Sequence, residues 1–101
     1  MIVVNAEIES TEADIEAMKS AIILMEAASR AEAGCHDYTF SIELGDLKKL
    51  RVTERWESME ALVAHLATPH MAEFQAVMGA HPPKNISANF YEASIVSPPG
   101  M

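Results

Sequence analysis

The stretch Tyr38-Thr39-Phe40-Ser41-Ile42-Glu43-Leu44-Gly45-Asp46 decides the fold class, because its first seven residues alternate between apolar and polar side chains. This period of two is typical of a half-buried strand, whose apolar face carries Tyr38, Phe40, Ile42 and Leu44. Gly45-Asp46 predicts a turn. A second alternating run follows, with Leu50, Val52, Glu54 and Trp56 on one face. The two runs are therefore predicted to form a β-hairpin.

Each side of this hairpin carries a pattern typical of a helix. Before it, apolar residues recur at helical spacing in Ile15, Met18, Ile22 and Met25. Thr11 with Asp14 resembles a capping box at the start of that helix, and Gly34 is a plausible stop after it. After the hairpin, Ser58 predicts the cap of a second helix. Thr68-Pro69 then restarts this helix, because Thr caps helices and Pro is tolerated at the first helical position.

The outermost segments alternate again and predict two further strands, one over residues 2–8 and one that includes Ile86, Ala88 and Phe90. The predicted order is βαββαβ, an α+β ferredoxin-like arrangement with a four-stranded antiparallel sheet and two helices on one face. We expect a single domain over residues 1–101, with a tail from about residue 97. One sheet face would stay uncovered, and a second copy of the chain would most simply cover an apolar patch there.

The composition of the chain excludes some classes of binding partner and indicates a cellular compartment. Seven Lys and Arg against 15 Asp and Glu give a net charge of −8, which would repel nucleic acids and anionic membrane surfaces. The single cysteine, Cys35, cannot form a disulfide within the chain and fits a reducing compartment. No leader or spanning segment is recognisable near the first residues or in the longest apolar run, residues 21–25. We expect a cytoplasmic protein.

Three motifs carry a resemblance to a known family: Gly34-Cys35-His36-Asp37-Tyr38, Glu54-Arg55-Trp56-Glu57-Ser58 and Ala64-His65-Leu66-Ala67-Thr68-Pro69-His70-Met71. With these motifs the chain resembles the antibiotic biosynthesis monooxygenase family, in particular its quinol monooxygenase-like members. The resemblance covers nearly the whole chain. It implies a ferredoxin-like fold, a homodimer with a shared α+β barrel, and in some members oxygenation of phenols or quinols without metal or flavin. The family's haem-degrading branch would place its helical Trp and iron-binding His at His65 and Gln75, so haem chemistry is not carried over.

Oxygenation without a cofactor requires the substrate itself to donate electrons to O₂, usually as a phenolate. This calls for a base, an apolar pocket and hydrogen bonds to the anion. His65, on the inward face of the second helix, is the expected base, although packing in the core would also explain it. Glu54 could orient His65 or accept the proton, or it could pair with a helix residue or a partner-chain Arg. Asn5 could donate to an oxyanion or satisfy a neighbouring strand.

Four residues are expected to bind the substrate: His36, Tyr38, Trp56 and Phe74. The alternation places His36 on the apolar face, where it could orient a substrate oxygen or bind the end of the first helix. The aromatic residues could wall a planar ring or simply fill the core. A Cys35-His36 nucleophile pair is not expected, because neighbours on a strand point to opposite faces. No metal site is expected from His65 and His70, because five residues along a helix rotate by about 140°.

Two functions remain open. The first is a cytoplasmic, homodimeric monooxygenase, without metal, flavin or other cofactor, that oxidises a quinol or another electron-rich aromatic with O₂. The second is a non-catalytic dimeric protein that binds a small aromatic or hydrophobic ligand. A histidine and a second polar group within reach of one ligand oxygen would favour the enzyme, whereas a pocket lined only by Met, Leu and aromatic residues would favour binding. A pocket that is closed beneath Trp56 would favour a purely structural role.

Overall fold

The computed structural model describes residues 1–100 and contains four strands and three helices in this range. In chain order they are β1 (Ile2–Glu9), α1 (Glu12–Arg30), β2 (Cys35–Glu43), β3 (Asp46–Trp56), α2 (Met59–Leu66), α3 (Pro69–Ala80) and β4 (Asn85–Glu92). The strands form one antiparallel sheet in the order β2-β3-β1-β4. This confirms the predicted ferredoxin-like α+β fold. The second predicted helix is divided into α2 and α3.

Side-chain caps define the start of each helix. The Thr11 hydroxyl accepts a hydrogen bond from the Asp14 amide at 3.0 Å at the start of α1. Ser58 accepts from the Ala61 amide at 3.2 Å before α2, and Thr68 accepts from the Met71 amide at 3.3 Å before α3. Each cap satisfies a backbone N–H that has no partner inside its own helix. The capping residues read from the sequence are confirmed.

The core lies between the sheet and the helices. The apolar stripe of α1 packs on the inner faces of β1, β2 and β3, and the buried residues include Ile15, Met18, Ile22, Met25, Val4, Leu50, Val52 and Trp56. These are residues that the two periodicities place on apolar faces. Among residues 1–100, no helix is long and apolar enough to cross a membrane.

The start of β2 departs from the predicted alternation. Cys35 pairs with Trp56 and Asp37 pairs with Arg55, so His36 is an extra residue in a β-bulge. The bulge shifts the alternation by one position. Cys35 therefore packs against the core, and His36 is exposed. The prediction that His36 lies on the apolar face is wrong for this reason.

The sheet face away from the helices is polar rather than apolar. Glu7 on β1 forms ion pairs with Lys49 at 2.9 Å and with Arg51 at 3.2 Å, and Arg51 also pairs with Glu43 at 2.7 Å. These side chains remain about a third or more exposed, so each pair contributes little to stability. The expectation of a bare apolar patch on this face is wrong.

Exposed apolar side chains occur in several places, among them the edge strand β4 and the segment after it. All eight residues of β4 are exposed. Ile86 and Phe90 are 51% and 59% exposed, and they are paired with the inward-facing residues Ile8 and Val4 of β1. β4 therefore extends the helix-side face of the sheet beyond the helices that cover it.

Gly34 brings the loop after α1 close to α2. Its φ of +80° is in the left-handed region that favours glycine. A Cβ at this position would lie 2.9 Å from the Ala61 side chain, and the Gly34 carbonyl accepts from the Glu57 amide at 2.7 Å. The same loop, residues 31–34, carries Glu32, so this close approach places Glu32 beside the second half of the chain.

Candidate functional site

Glu32, His65 and His70 form a hydrogen-bonded group that we call the Glu32 cluster. One carboxylate oxygen of Glu32, Oε2, lies 2.6 Å from His65 Nδ1 and 2.8 Å from His70 Nε2. Because an ionised carboxylate only accepts hydrogen bonds, each of these two ring nitrogens carries a proton and donates it. His65 Nε2 and His70 Nδ1 are then the nitrogens with free lone pairs when the rings are neutral.

The break between α2 and α3 allows both histidines to reach one carboxylate. α2 ends at Leu66, and α3 starts again at Pro69. The Thr68 hydroxyl caps α3 and also donates to the His65 carbonyl at 2.7 Å. The rotation expected for five residues of continuous helix does not apply across this break. The prediction that His65 and His70 point apart is therefore wrong, and their ring centroids are 5.9 Å apart.

His65 is the buried member of the cluster. Its side chain is only 1% exposed, against 15% for Glu32 and 24% for His70. The His65 ring packs on Trp56 at 4.7 Å and on Tyr38 at 5.2 Å between centroids. The aromatic residues expected to bind substrate thus enclose the expected base. Burial fixes its orientation and separates it from solvent.

Glu54 has a different partner from the one expected. Its carboxylate accepts a hydrogen bond from Trp56 Nε1 at 2.9 Å, and the carboxylate that binds His65 is that of Glu32. Burial raises the pKa of Glu54, although the Trp56 hydrogen bond acts in the opposite direction. Burial also raises the pKa of Tyr38, assisted by the charges of Glu54 and Glu32. Tyr38 therefore keeps its proton at physiological pH.

A cavity of about 300 Å³ lies between α1 and α3 beside the Glu32 cluster. Two polar residues line it, His70 and Glu73. The rest of the wall is apolar: Ala21, Leu24, Met25, Ala28, Phe74 and Val77. Its volume is at the lower end of the range for small-molecule sites, which suits a ligand of one or two rings. His70 is thus the member of the cluster that reaches this cavity.

A second cavity of about 380 Å³ lies between α1 and the β2–β3 hairpin. Its wall includes the apolar residues Ile15, Ile22, Phe40 and Leu50, with Glu16, Lys19 and Glu26 among its polar residues. Phe40 packs edge-on against Phe74 at 5.5 Å, so these two rings separate the two cavities. No histidine lines this second cavity, and Trp56 lines neither of the two. The pocket expected beneath Trp56 is therefore not one of these two cavities.

The structure brings together some of the residues expected at the site and separates others. His65, Tyr38, Trp56 and Glu54 lie close together in the core, and Phe74 lines the cavity beside His70. Asn5 is exposed on the opposite face of the sheet, where it accepts from the Thr53 hydroxyl at 3.4 Å. His36 is exposed at the bulge. Asn5 therefore cannot share one ligand with His65.

Sequence reasoning missed two members of the Glu32 cluster. Glu32 lies in a short loop with no periodic pattern, 33 residues before His65. Gly34 is the one local signal, because a glycine with a left-handed conformation indicates a close approach of the chain. The contribution of His70 could have been found from Thr68-Pro69, since a helix that restarts there no longer fixes the angle between the two histidines.

The family model described as antibiotic biosynthesis monooxygenase matches residues 1–77. The fold is similar to that of a Deinococcus radiodurans protein named for the same family, with a TM-score of 0.88, 20% identity and 97% of each chain covered. A Pseudomonas aeruginosa protein has a TM-score of 0.82 and 26% identity, with 93% of this chain and 94% of that one covered. No curated protein matches the chain.

Proposed function

Because the chain belongs to the antibiotic biosynthesis monooxygenase family, we propose that it is a monooxygenase that oxidises a quinol or another electron-rich aromatic with O₂ and needs no metal or flavin. The observation that carries this proposal is a carboxylate-bound histidine, His70, in the wall of an otherwise largely apolar cavity. Glu73 supplies the second polar group. His70 and Glu73 are three residues apart on α3 and so lie on one face of that helix, where both can reach one ligand oxygen. Two polar groups in this arrangement favour an enzyme over a binding protein.

The proposed reaction starts with proton transfer from a substrate hydroxyl to His70 Nδ1. The Nε2–H group of His70 donates to Glu32 at 2.8 Å, so the carboxylate stabilises the imidazolium that forms. His65 donates to the same oxygen and holds it in place. The resulting phenolate is electron-rich enough to reduce O₂. One oxygen atom replaces a ring hydrogen as a hydroxyl, the other leaves as water, and the quinol becomes a quinone. The substrate thereby supplies all four electrons.

This assignment gives His65 a positioning role and His70 the role of the base. His65 was the base expected from the sequence, but it is almost fully buried between two aromatic rings. The α1–α3 cavity is lined by His70 and not by His65. The free nitrogen of His70 is therefore the one that we place in contact with the substrate.

Oxygen uptake by the purified protein in the presence of a chelator tests the proposal, with naphthoquinols, catechols and anthrone-like phenols as substrates. We expect uptake above autoxidation, and at least a tenfold loss in His70→Asn. His81→Asn is the matched control, because His81 bonds Asp14 at 3.0 Å and lies outside both cavities described above. If turnover is unchanged in His70→Asn but lost in His65→Asn, then His65 and not His70 is the base. No uptake with any substrate would overturn the oxygenase proposal.

We also propose a homodimer that covers β4. This strand is at the edge of the sheet and is exposed along its whole length, and Ile95 and Val96 beyond it are 79% and 78% exposed. Unpaired edges and apolar side chains of this kind favour pairing with another chain. Light scattering on the wild type and on Phe90→Glu tests this proposal. We expect a dimer that dissociates in the variant; a monomeric wild type would overturn it.

A binding function is the second candidate, and the α1–hairpin cavity favours it. No histidine lines it, so it offers no base of the kind that we propose at His70, and its apolar residues can hold a hydrophobic ligand beside the charged groups of Glu16, Lys19 and Glu26. The measurement is fluorescence titration with an apolar probe, comparing the wild type with Ile23→Lys, because Ile23 lines the same cavity and is 55% exposed. Binding that the variant abolishes, together with no oxygen uptake, would favour this function.

A further inference from the structure

The Glu32 cluster also has the composition of a transition-metal site. Its three candidate ligand atoms come from three different segments, the loop 31–34, α2 and α3, and all lie within 4.8 Å of one another. The three atoms are already in contact, because both ring nitrogens are directed at the one carboxylate oxygen. Two neutral imidazoles with one carboxylate are a donor set that Zn²⁺ uses in proteins, with the fourth position left open.

The distances require little rearrangement. Zn–N and Zn–O bonds of about 2.0–2.1 Å in a tetrahedron place neighbouring ligand atoms about 3.3 Å apart. The nitrogen–oxygen separations in the cluster are 2.6 and 2.8 Å. The two nitrogen–oxygen separations therefore need to increase by about 0.5–0.7 Å, and the two nitrogens lie no more than 4.8 Å apart, with the ion replacing the two hydrogen bonds.

Charge and access also favour a divalent cation of this kind. The Glu32 carboxylate neutralises one of the two charges of a divalent ion, and the net charge of −8 on the chain attracts cations in general. Mg²⁺ and Ca²⁺ prefer sets of oxygen ligands, so two nitrogen donors select against them. The ion can reach the cluster from solvent because the side chains of His70 and Glu32 are partly exposed, whereas the buried side chain of His65 closes the cluster on its core side.

We propose that Glu32, His65 and His70 bind one divalent cation of the zinc class through Glu32 Oε2, His65 Nδ1 and His70 Nε2. The binding claim stands on this geometry and does not rest on the proposed oxygenase activity. Cation binding and the proposed proton transfer both involve the ring of His70. An ion on His70 Nε2 displaces the proton that this nitrogen donates to Glu32, and the neutral ring then carries its proton on Nδ1, the atom that would otherwise accept a proton from the substrate. His65 changes tautomer in the same way, from Nδ1–H to Nε2–H. The cation-bound form and the base form of the cluster therefore exclude each other.

Calorimetric titration of the chelator-treated full chain with ZnCl₂ tests the proposal without any substrate. We expect one ion per chain, and at least tenfold weaker binding in both His70→Asn and Glu32→Gln. His81→Asn is the control for surface histidines, because His81 with Asp14 is the other His–carboxylate pair in residues 1–100. Its affinity is expected to equal that of the wild type.

Absorption of the Co²⁺-loaded wild type supplies a second measurement that needs no variant. A four-coordinate site gives intense visible bands, whereas adventitious six-coordinate Co²⁺ gives weak ones. Equal Zn²⁺ affinity in the wild type and His70→Asn, a loss confined to His81→Asn, or only weak six-coordinate bands would overturn the proposal. Absent oxygen uptake would leave these binding results unchanged, so failure of the two proposals is distinguishable.

Discussion

Removal of the Glu32 carboxylate is expected to destabilise the fold through the histidine that it leaves buried. In Glu32→Ala, the Nδ1–H group of His65 loses its acceptor while its side chain stays 1% exposed. A buried donor without a partner costs about 1–3 kcal/mol. His70 is 24% exposed, so water can replace its lost hydrogen bond at a smaller cost. We therefore expect a loss of about 2 kcal/mol in the free energy of unfolding.

Glu32→Gln separates the acceptor from the charge. The Gln carbonyl oxygen can take the place of Oε2 and accept from both ring nitrogens, so the buried donor keeps a partner. Neutral hydrogen bonds are about half as strong as charged ones, and we expect a loss of about 1 kcal/mol or less. Glu16→Ala, which removes an exposed carboxylate from α1, is the control for the loss of charge alone.

Urea and thermal unfolding at one fixed protomer concentration measure these differences, since any oligomer makes Tm depend on concentration. For a chain of this size, about 2 kcal/mol corresponds to a decrease in Tm of about 10 °C. The expected order of stability is Glu16→Ala close to the wild type, then Glu32→Gln, then Glu32→Ala. If Glu32→Ala is as stable as the wild type, the two hydrogen bonds to Glu32 do not hold the cluster together and the reasoning fails.

Three further substitutions test other parts of the structure. Gly34→Ala should lower the free energy of unfolding by at least about 1–2 kcal/mol, because its left-handed φ disfavours any side chain and the new Cβ would meet Ala61. Urea unfolding measures this loss, and an unchanged midpoint would contradict it. Thr68→Ala should cost about 1 kcal/mol through loss of the α3 cap, and an unaltered Tm would show that the cap does not matter. Burial raises the pKa of the Glu54 carboxyl above 4.5 in the folded state. The wild type therefore loses stability as pH rises from about 4.5 through the folded pKa, and Glu54→Gln removes this dependence. Unfolding free energies measured over that range should increase for the variant relative to the wild type, and a constant difference would contradict the raised pKa.

The secondary structure was accessible to sequence reasoning because its signals are local. Alternation defines the β2–β3 hairpin, and side-chain caps at Thr11, Ser58 and Thr68 define the starts of the helices. Each of these signals acts within a few residues. The bulge at His36 could not be predicted, because no residue type in this segment marks His36 as the extra residue. The bulge nevertheless turns Cys35 toward the core and leaves His36 exposed.

The candidate site was only partly accessible because it depends on contacts distant in sequence. His65 is recognisable on an inward helix face, but its partner Glu32 is 33 residues away in a loop. Two of the predictions made from the sequence also conflict with each other. A helix that restarts at Thr68-Pro69 cannot also fix the angle between His65 and His70, and the structure follows the first of these predictions.

The two ends of the Glu32 cluster differ in burial, and this difference determines how variants of its histidines can be interpreted. His65 packs against Trp56 and Tyr38, so its substitution changes the core as well as the hydrogen bond to Glu32. His70 is on the cavity side, where substitution removes a free nitrogen with less effect on packing. A loss of activity in a His65 variant alone is therefore consistent with either a base or a positioning role. Only the comparison with His70→Asn, at equal fold stability, separates proton transfer from support of the carboxylate.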